Sequence, residues 1–232
     1  MPAARTEPSA ARRGRVARLA GLYAVTPDSG DTALLVRNVA AAIAGGAAVI
    51  QYRNKAADAA LRRDQAGAIA GLPARQHALF IVNDDAAVAA DVDADGVHLG
   101  EDDADIATAR AQVGVDRLIG VSCYDDVGRA RGAVAAGADY VAFGSFFASS
   151  TKPRARRADV SLLREAQTLG VPVVAIGGIT AANMQALIDA GATALAVIAD
   201  VFAHDDPAAI TRAASAIARG FAAEPKLRRR SR

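Results

Sequence analysis

Residues 126–144, DVGRARGAVAAGADYVAFG, contain the pattern that decides the fold. An Ala-rich stretch with helical periodicity ends at Gly137, and a short run of Tyr, Val, Ala and Phe follows it. Glycine at such a junction tolerates the left-handed conformation with which many helices end before the chain turns into a strand. The stretch therefore predicts a helix followed at once by a buried strand.

The same succession of helix, glycine and strand recurs along the chain, for example at Gly45 and Gly191. The predicted strands are residues 22–26, 49–52, 79–83, 96–99, 118–122, 140–144, 173–177 and 195–199. Between them lie periodic segments long enough for crossover helices, such as 32–44, 56–70, 126–136, 159–169 and 181–190. A doubly wound sheet would show a similar repeat, but eight strands with eight helices favour an α/β fold of the (β/α)8 TIM barrel type.

Length and composition agree with one such barrel. The chain has 232 residues, of which 52% are hydrophobic and 4% aromatic, and it lacks Trp. This composition suits parallel strands that are buried on both faces and covered by Ala-rich helices. We expect a basic extension over 1–20 that could include a short helix, a single barrel domain over 21–222, and a basic, disordered tail over 223–232.

Charge is unevenly distributed along the chain. Residues 1–20 carry five Arg and one Glu, and residues 221–232 carry one Lys, four Arg and one Glu, so each end has a net charge of +4. Since the whole chain has a net charge of +2, the segment between these ends has −6. An acidic body argues against a nucleic-acid-binding core, and the basic ends are expected to be solvated tails.

The sequence also indicates a cellular compartment. Cys123 is the single cysteine, which excludes an intramolecular disulfide. No apolar run reaches the ~20 residues that a membrane span requires, and the N-terminal segment lacks the apolar core of a secretory signal. We therefore expect a cytoplasmic protein without a membrane partner, and we leave open whether it forms a homo-oligomer.

Polar side chains follow several of the predicted strands. In a (β/α)8 barrel the carboxyl ends of the strands form the active-site face. Gln51, Arg53 and Lys55 alternate along an extended segment, so their side chains can lie on the same side. An Arg fork and a Lys point charge could then receive a highly charged anion such as pyrophosphate. The alternative interpretation is a solvated basic strand end.

Two acidic residues follow neighbouring predicted strands. Asp84 and Asp103 could together hold Mg²⁺, with substrate phosphate oxygens and water completing its octahedral shell. Helix capping is the competing interpretation, above all for the adjacent Asp85 and Asp102.

Glycines and small residues mark the last two strand ends. Gly177 and Gly178 precede a predicted helix, where backbone amides can approach a phosphate, although a plain tight turn would have the same sequence. The segment near Ile198 and Ala199 could supply further amides. His98 ends an apolar strand and could be either a core histidine or a pocket residue.

Taken together, these segments resemble the thiamine phosphate synthase family over about 22–201. In chain order the matching segments are LYAVTP (22–27), QYRNK (51–55), FIVNDD (80–85), DGVHLGEDD (95–103), IGVS (119–122), GADYVAFGSFF (137–147), SSTK (149–152), VAIGGIT (174–180) and GATALAVI (191–198). The joint occurrence of N-D, V-H-L-G and T-K makes the resemblance specific, because G-G-I-T alone would fit many phosphate-binding barrels.

The resemblance implies an activity and a cofactor. The family joins 4-amino-2-methyl-5-hydroxymethylpyrimidine pyrophosphate to a thiazole phosphate and releases thiamine phosphate and pyrophosphate, with Mg²⁺ bound. Its chemistry is a carbocation-like departure of pyrophosphate, which requires electrostatic stabilisation and alignment of two substrates rather than a strong protein base. The partners implied are these two small molecules, without nucleic acid or membrane.

The resemblance also implies roles for individual residues. The pyrimidine pyrophosphate would contact Gln51, Arg53, Lys55, Asn83, Ser122 and Lys152, of which Arg53, Lys55, Ser122 and Lys152 would act in catalysis. Mg²⁺ would bind Asp84 and Asp103. The thiazole phosphate would contact Ser149, Thr151, Gly178, Ile198 and Ala199. From their positions at strand ends, we add His98 and Gly177 to the substrate-binding residues.

Some positions depart from the family pattern. Asn54 stands where Asp is common, Glu101 where Gln is common, Ala199 where Ser is frequent, and Ala148-Ser149-Ser150 where Pro-Thr-Pro is usual. Two alternatives therefore remain open at this point. One is a thiazole tautomerase-like enzyme on the same barrel, and the other is a non-catalytic barrel that binds phosphate ligands.

Overall fold

The computed structural model describes residues 7–100, 103, 105–148, 157–204 and 206–222. Eight parallel strands pair in chain order, and the pairing of the first with the eighth closes the barrel, which confirms the predicted fold. The strands are β1 (Gly21–Val25), β2 (Ala47–Tyr52), β3 (Leu79–Asn83), β4 (Gly96–Leu99), β5 (Leu118–Tyr124), β6 (Tyr140–Phe143), β7 (Val173–Ile176) and β8 (Ala194–Val197).

Helices cover the outside of the barrel and one of its ends. They are α1 (Ala10–Arg18), α2 (Thr32–Ala44), α3 (Ala59–Ala70), α4 (Ala86–Asp91), α5 (Ile106–Val113), α6 (Val127–Ala136), α7 (Ser161–Ala166), α8 (Gln185–Asp189), α9 (Ala199–Phe202) and α10 (Pro207–Ala222). Short 3₁₀ turns lie at Pro73–His77 and Gln167–Leu169. Within the described ranges, no helix has both the length and the apolar character that crossing a membrane requires.

Each helix from α2 to α6 begins at an aspartate whose carboxylate accepts a hydrogen bond from the backbone N–H three residues later. Such a cap satisfies a donor that has no partner inside the helix, and its charge is favourable at the positive end of the helix dipole. The capping residues of α2 to α6 are Asp31, Asp58, Asp85, Asp105 and Asp126.

The predicted helix over 181–190 is much shorter in the structure, where α8 covers only Gln185–Asp189. The side chain of Asn183 explains the difference. Its Oδ1 accepts a hydrogen bond from Thr180 N at 2.9 Å, and its Nδ2 donates to Gly178 O at 3.0 Å. These bonds hold residues 178–183 as a turn, so the helix begins later than its apolar periodicity indicates.

The amino ends of the strands, which we call the lower end of the barrel, are covered by α1. Leu19, which directly follows α1, is 1% exposed and belongs to the same interior cluster as Tyr23, Leu79 and Leu118. Val16 of α1 packs against this cluster from below. Burying these apolar side chains closes the barrel floor, since it removes the lower interior surface from water.

Ion pairs fasten α1 to the lower end. Two carboxylates, at the starts of β4 and β6, each pair with an arginine of α1 and with an arginine from elsewhere in the chain. Asp95 lies 2.9 Å from Arg15 Nε and 3.2 Å from Arg75 Nη2, and Asp139 lies 3.3 Å from Arg12 Nε and 2.7 Å from Arg110 Nη2. The expectation of a solvated basic N-terminal segment is therefore wrong for Arg12 and Arg15.

The lower end also shows a repeat that the sequence analysis did not detect. The residue before each of β4, β6 and β8 accepts a side-chain hydrogen bond from a backbone N–H of the preceding strand. The bonds join Phe80 N to Asp95 Oδ2 at 2.9 Å, Ile119 N to Asp139 Oδ2 at 2.9 Å, and Val173 N to Thr193 Oγ1 at 3.1 Å. Strands β4, β6 and β8 are therefore each preceded by a side chain that bonds to the strand before it.

Candidate active site

The carboxyl ends of the strands, the upper end of the barrel, open into a cavity of about 1190 Å³ among the described residues. All predicted site residues that the structure describes line this cavity: Gln51, Arg53, Lys55, Asn83, Asp84, His98, Asp103, Ser122, Gly177, Gly178, Ile198 and Ala199. The predicted residues Ser149, Thr151 and Lys152 lie outside the described residues. The closed barrel thus brings together side chains that are up to 148 positions apart in sequence.

The basic segment after β2 is held by residues that follow β1. Thr26 Oγ1 accepts a hydrogen bond from Arg53 N at 2.8 Å and donates to Arg53 O at 2.9 Å. Asp28 Oδ1 accepts from Lys55 N at 2.8 Å and lies 3.2 Å from Arg53 Nη1. The Arg53 side chain is only 17% exposed. Arg53 is therefore a positioned cation rather than a solvated strand end.

A buried polar cluster behind this segment explains one departure from the family pattern. Asn54 is 5% exposed, and its Nδ2 donates to Ser29 O at 2.7 Å and to Gln65 Oε1 at 2.9 Å. Gln65 Oε1 also accepts from Tyr52 OH at 2.9 Å. An ionised Asp at position 54 could not donate to these oxygens, so Asn54 fits this environment.

The two predicted metal ligands are neighbours at the upper end. Asp84 has a φ of 66°, and its N donates to His98 O at 2.8 Å, which places it between the ends of β3 and β4. Asp103 Oδ2 accepts a hydrogen bond from Gly100 N. Burial and the adjacent Asp103 carboxylate raise the pKa of Asp84, while Lys55, whose Nζ lies 3.3 Å from Asp84 Oδ2, opposes this shift. The pair therefore requires a compensating positive charge.

Helix capping does not account for this pair, since Asp85 caps α4 and Asp105 caps α5. Nowhere in the described ranges do three or more His, Cys, Asp or Glu side chains gather as a metal site. Two carboxylates nevertheless fit Mg²⁺, which commonly takes one or two carboxylates, substrate phosphate oxygens and several waters. The donor set is therefore suited to a metal ion that arrives with, or is completed by, a phosphorylated ligand.

A chain of hydrogen bonds crosses the barrel interior just below the cavity. Gln51 Nε2 lies 2.9 Å from Tyr23 OH, which lies 2.8 Å from Tyr140 OH. His98 Nδ1 lies 3.1 Å from Tyr140 OH, and its Nε2 lies 2.9 Å from Ser122 Oγ. Burial lowers the pKa of His98 to about 4, so its ring is neutral near pH 7. His98 is thus both a buried core residue and part of the cavity floor.

The sequence analysis did not assign Tyr23 and Tyr140 to the site. Both side chains are almost fully buried, at 1% and 0% exposed, and both point into the barrel. Tyrosine on an inward position of a strand carries a hydroxyl that needs a partner once it is buried. Their inward positions on β1 and β6 were the signal that could have identified them.

The turn after β7 requires glycine at two positions. Gly177 and Gly178 have φ values of 107° and 62°, in the region that other residues rarely adopt. A Cβ on Gly177 would lie 2.0 Å from Ser145 Oγ, and one on Gly178 would lie 2.2 Å from Ala148 O. Glycine at both positions therefore leaves room for the segment after β6, and the backbone of both residues lines the cavity, where it could contact a phosphate.

The eighth strand end differs from its prediction. The predicted strand extends to 199, but β8 ends at Val197 and Ala199 opens the short helix α9. The first amides of a helix have no acceptor within it, so this segment turns backbone donors toward the cavity beside Gly178. Asp200 Oδ2 accepts a hydrogen bond from Ala181 N at 3.1 Å, which ties the two segments together.

The lone cysteine is not positioned for nucleophilic catalysis. Cys123 is fully buried, and its Sγ donates a weak hydrogen bond to Val121 O at 3.5 Å. Burial raises the pKa of its thiol to about 12. The reactive thiolate form is therefore scarce at neutral pH.

Comparison with known proteins places this site in a family. The model of the family described as thiamine monophosphate synthase matches residues 22–201. A thiamine-phosphate synthase from Chromobacterium violaceum is 54% identical over 196 residues, which cover 84% of this chain and 95% of that protein. Another from Thiobacillus denitrificans is 52% identical over 207 residues, which cover 89% of this chain and 97% of the relative.

Solved structures agree with these relatives. The thiamine phosphate pyrophosphorylase from Pyrococcus furiosus superposes with a TM-score of 0.75 at 33% identity, covering 89% of this chain and 96% of that one. A 3-hexulose-6-phosphate synthase structure, with a TM-score of 0.62 at 19% identity and coverage of 86% and 99%, shares the barrel fold alone. The family match over 22–201 confirms the resemblance seen in the sequence motifs, and the chain belongs to the thiamine monophosphate synthase family.

Proposed function

We propose that this protein is a Mg²⁺-dependent thiamine-phosphate synthase that joins the pyrimidine pyrophosphate to a thiazole phosphate and releases pyrophosphate. The observation that carries the proposal is the convergence of Arg53, Lys55, Asp84 and Asp103 on one cavity. Relatives that are more than half identical and carry this name support it. A cytoplasmic location, the absence of nucleic-acid partners and the oligomeric state stay predictions.

The barrel topology suggests how two substrates would share the cavity. The cations and carboxylates follow β2, β3 and β4, whereas the glycine turn and α9 follow β7 and β8. Since the strands are paired in chain order, β3 and β7 lie on opposite sides of the barrel. We assign the pyrophosphate to the first side and the thiazole phosphate to the second, which leaves the reacting carbon and nitrogen between them.

The chain's own residues would then supply the two requirements of the reaction. Arg53 and Lys55, together with Lys152, stabilise the negative charge that grows on the departing pyrophosphate. Bound at Asp84 and Asp103, Mg²⁺ would add further charge neutralisation to the phosphate oxygens. Anchoring each substrate through its anionic group aligns the thiazole nitrogen with the carbon that loses pyrophosphate. With its pKa lowered to about 4 by burial, His98 is a weak base, which is consistent with a reaction that needs no strong base.

The decisive experiment measures thiamine phosphate and pyrophosphate formation by the purified full chain, with both substrates, in Mg²⁺ and in a chelator. We expect equimolar products that depend on both substrates and on the metal. Isomerisation of the thiazole substrate alone would favour the tautomerase alternative. Binding of both substrates without any turnover would favour a non-catalytic barrel.

A pair of adjacent aspartates tests the metal assignment. Asp84→Asn should raise the Mg²⁺ concentration needed for half-maximal rate by at least roughly tenfold, because it removes one of two charged ligands. Asp85→Asn is the matched control, since Asp85 caps α4 and should leave that concentration unchanged. Equal Mg²⁺ dependence in the two variants would contradict the assignment.

A further inference from the structure

We infer that Gln51, Tyr23, Tyr140, His98 and Ser122 form a hydrogen-bonded wire of fixed polarity, which makes Gln51 an acceptor and Ser122 a donor toward one bound ligand. The inference rests on the proposed function and extends it, because it makes the Gln51 and Ser122 contacts with the pyrimidine pyrophosphate depend on each other. Tyr23 and Tyr140 act here as positioning residues, since the hydroxyl groups of both are engaged within the wire, although Tyr23 also lines the cavity.

The wire is continuous and enclosed. Its four contacts measure 2.9, 2.8, 3.1 and 2.9 Å from Gln51 to Ser122. Its three central members are at most 7% exposed, so water does not compete for their hydrogen-bonding groups. The ring of Tyr140 occupies space that no side chain at position 120 could share, because a Cβ on Gly120 would lie 1.9 Å from its Cζ. Glycine at position 120 is therefore required to make room for this ring.

The three central members are uncharged near neutral pH. Tyr23, Tyr140 and His98 are buried, and among the described residues their polar atoms contact hydroxyl and amide groups rather than charged side chains, so an ionised form of any of them would be unfavourable. Tyr23, Tyr140 and the neutral imidazole therefore each supply one proton to the wire. Four contacts need four protons, so the fourth comes from one of the two ends.

Only two arrangements satisfy every contact. In one, Gln51 donates through Nε2, the protons all point from Gln51 toward Ser122, and the Ser122 hydroxyl proton is free for the cavity. In the other, Ser122 donates to His98, every bond is reversed, and Gln51 turns its NH₂ group to the cavity. Any mixed arrangement leaves a buried donor or acceptor unpaired, which is unfavourable.

Gln51 has its Nε2 toward Tyr23 OH, and this orientation selects the first arrangement. Among the described residues, no protein group donates to Gln51 Oε1, and Gln51 lines the cavity. A phosphate oxygen only accepts hydrogen bonds, so it requires the Ser122 proton. An amino group on a pyrimidine ring donates, so it suits Gln51 Oε1. One ligand with both groups therefore fits both ends of the same arrangement.

The wire makes the two contacts depend on each other. A ring that carries a carbonyl in place of the amino group would demand the NH₂ of Gln51, and the reversed wire would then turn the Ser122 lone pairs toward the pyrophosphate. We expect the oxo analogue of the pyrimidine pyrophosphate to bind at least 100-fold more weakly than the amino compound. Tyr140→Phe, which breaks the wire while keeping the ring, should reduce this preference to tenfold or less.

The first test needs no substrate. Nitrogen-15 NMR of the histidine ring in the free protein should show His98 with its proton on Nε2, the tautomer that donates to Ser122. A proton on Nδ1 would overturn the inference, whatever the enzyme catalyses. Tyr52→Phe is the matched control, since it removes another buried tyrosine hydroxyl, bonded to Gln65, and should leave the tautomer unchanged.

The second test measures binding of the pyrimidine pyrophosphate by calorimetry to Gln51→Ala, Ser122→Ala and the double variant. If the wire couples its ends, the double variant should bind at least fivefold more tightly than the product of the single losses predicts. In the Tyr140→Phe background the losses should multiply. If the two affinity losses multiply both in the otherwise unmodified protein and in the Tyr140→Phe protein, while the enzyme still turns over, the wire is contradicted and the proposed function is not. Absence of both binding and turnover in the unmodified protein would instead overturn the proposed function.

Discussion

The two ends of the barrel carry the same kinds of charged side chain but place them in opposite environments. At the lower end, Asp95 and Asp139 are each contacted by two arginines and by a backbone N–H, and α1 covers them. At the upper end, Asp84 lies beside another carboxylate, and Lys55 Nζ is its cationic contact at 3.3 Å. The carboxylates of the lower end therefore have their counter-charges within the protein. The carboxylates of the upper end leave room for a bound cation.

This difference separates stability from function within one fold. Buried charges that are fully paired cost little once they are formed, but they are expensive to disrupt. Charges that face a cavity and lack compensation are poised to bind ions of the opposite sign. The neutral layer of Tyr23, Tyr140 and His98 lies between the two ends.

The largest effect is expected from removing a cation at the upper end. Arg53→Ala should lower kcat/KM by roughly 10²–10³-fold, because Arg53 contacts the leaving pyrophosphate in the proposed reaction. Its free energy of unfolding should change by less than about 1 kcal/mol. Steady-state kinetics and urea unfolding measure the two quantities. Arg131→Ala, which removes an exposed cation of α6, is the control, and an equal rate loss there would contradict the assignment.

The lower end should show the reverse behaviour. Asp139→Ala leaves Arg12, Arg110 and the amide of Ile119 without their acceptor, so it should cost about 3 kcal/mol of unfolding free energy while kcat/KM stays within about twofold. Glu165→Ala is the control, because Glu165 pairs with Arg131 at 2.7 Å on the exposed surface and should cost less than about 1 kcal/mol. A similar loss of unfolding free energy in both variants would contradict the difference proposed between the two ends.

The neutral layer should make the protein sensitive to acid. Since the pKa of His98 is lowered to about 4 by burial, the unfolded chain binds a proton at higher pH than the folded one. The contribution of the neutral ring to the free energy of unfolding is complete above about pH 6.5. It decreases by about 3 kcal/mol as the pH falls to 4. The stability difference between the unmodified protein and His98→Asn should shrink by this amount between pH 7 and 4. A pH-independent difference would argue that His98 is not neutral.

A smaller effect is expected at the glycine turn. Gly178→Ala places a methyl group 2.2 Å from Ala148 O, so it should raise the KM for the thiazole phosphate by at least roughly tenfold. Gly170→Ala is the control. Gly170 has a similar φ of 71°, but a Cβ there would meet nothing within 4 Å, so this variant measures the effect of backbone strain alone. If both variants raise KM equally, the turn does not hold the phosphate.

Much of the architecture was predictable from local pattern. The helix over 32–44 and the strand over 79–83 have the predicted boundaries, because Asp31 and Gly45 flank the helix, Asp84 follows the strand, and apolar residues fill both. The sequence could also predict which residues reach the cavity, since the carboxyl end of every strand faces it. Their chemical roles, and those of Ser149, Thr151 and Lys152, stay predictions.

What local pattern could not predict depends on contacts between distant residues. The arginines of α1 look like a solvated cluster in the sequence, because their acceptors Asp95 and Asp139 lie 80 and 127 positions later. The wire needed the pairing of Tyr23 with Tyr140, which are 117 positions apart. The early end of β8 depends on the turn of α9 rather than on β propensity.

The docking of α1 has a consequence for how the chain folds as it is made. Arg12 is synthesised 127 residues before Asp139, so α1 cannot complete its ion pairs until that aspartate has also left the ribosome. Until then Arg12 lacks its carboxylate partner. Completion of the barrel floor therefore waits for residues that are synthesised long after α1, and it joins segments that lie far apart in the chain.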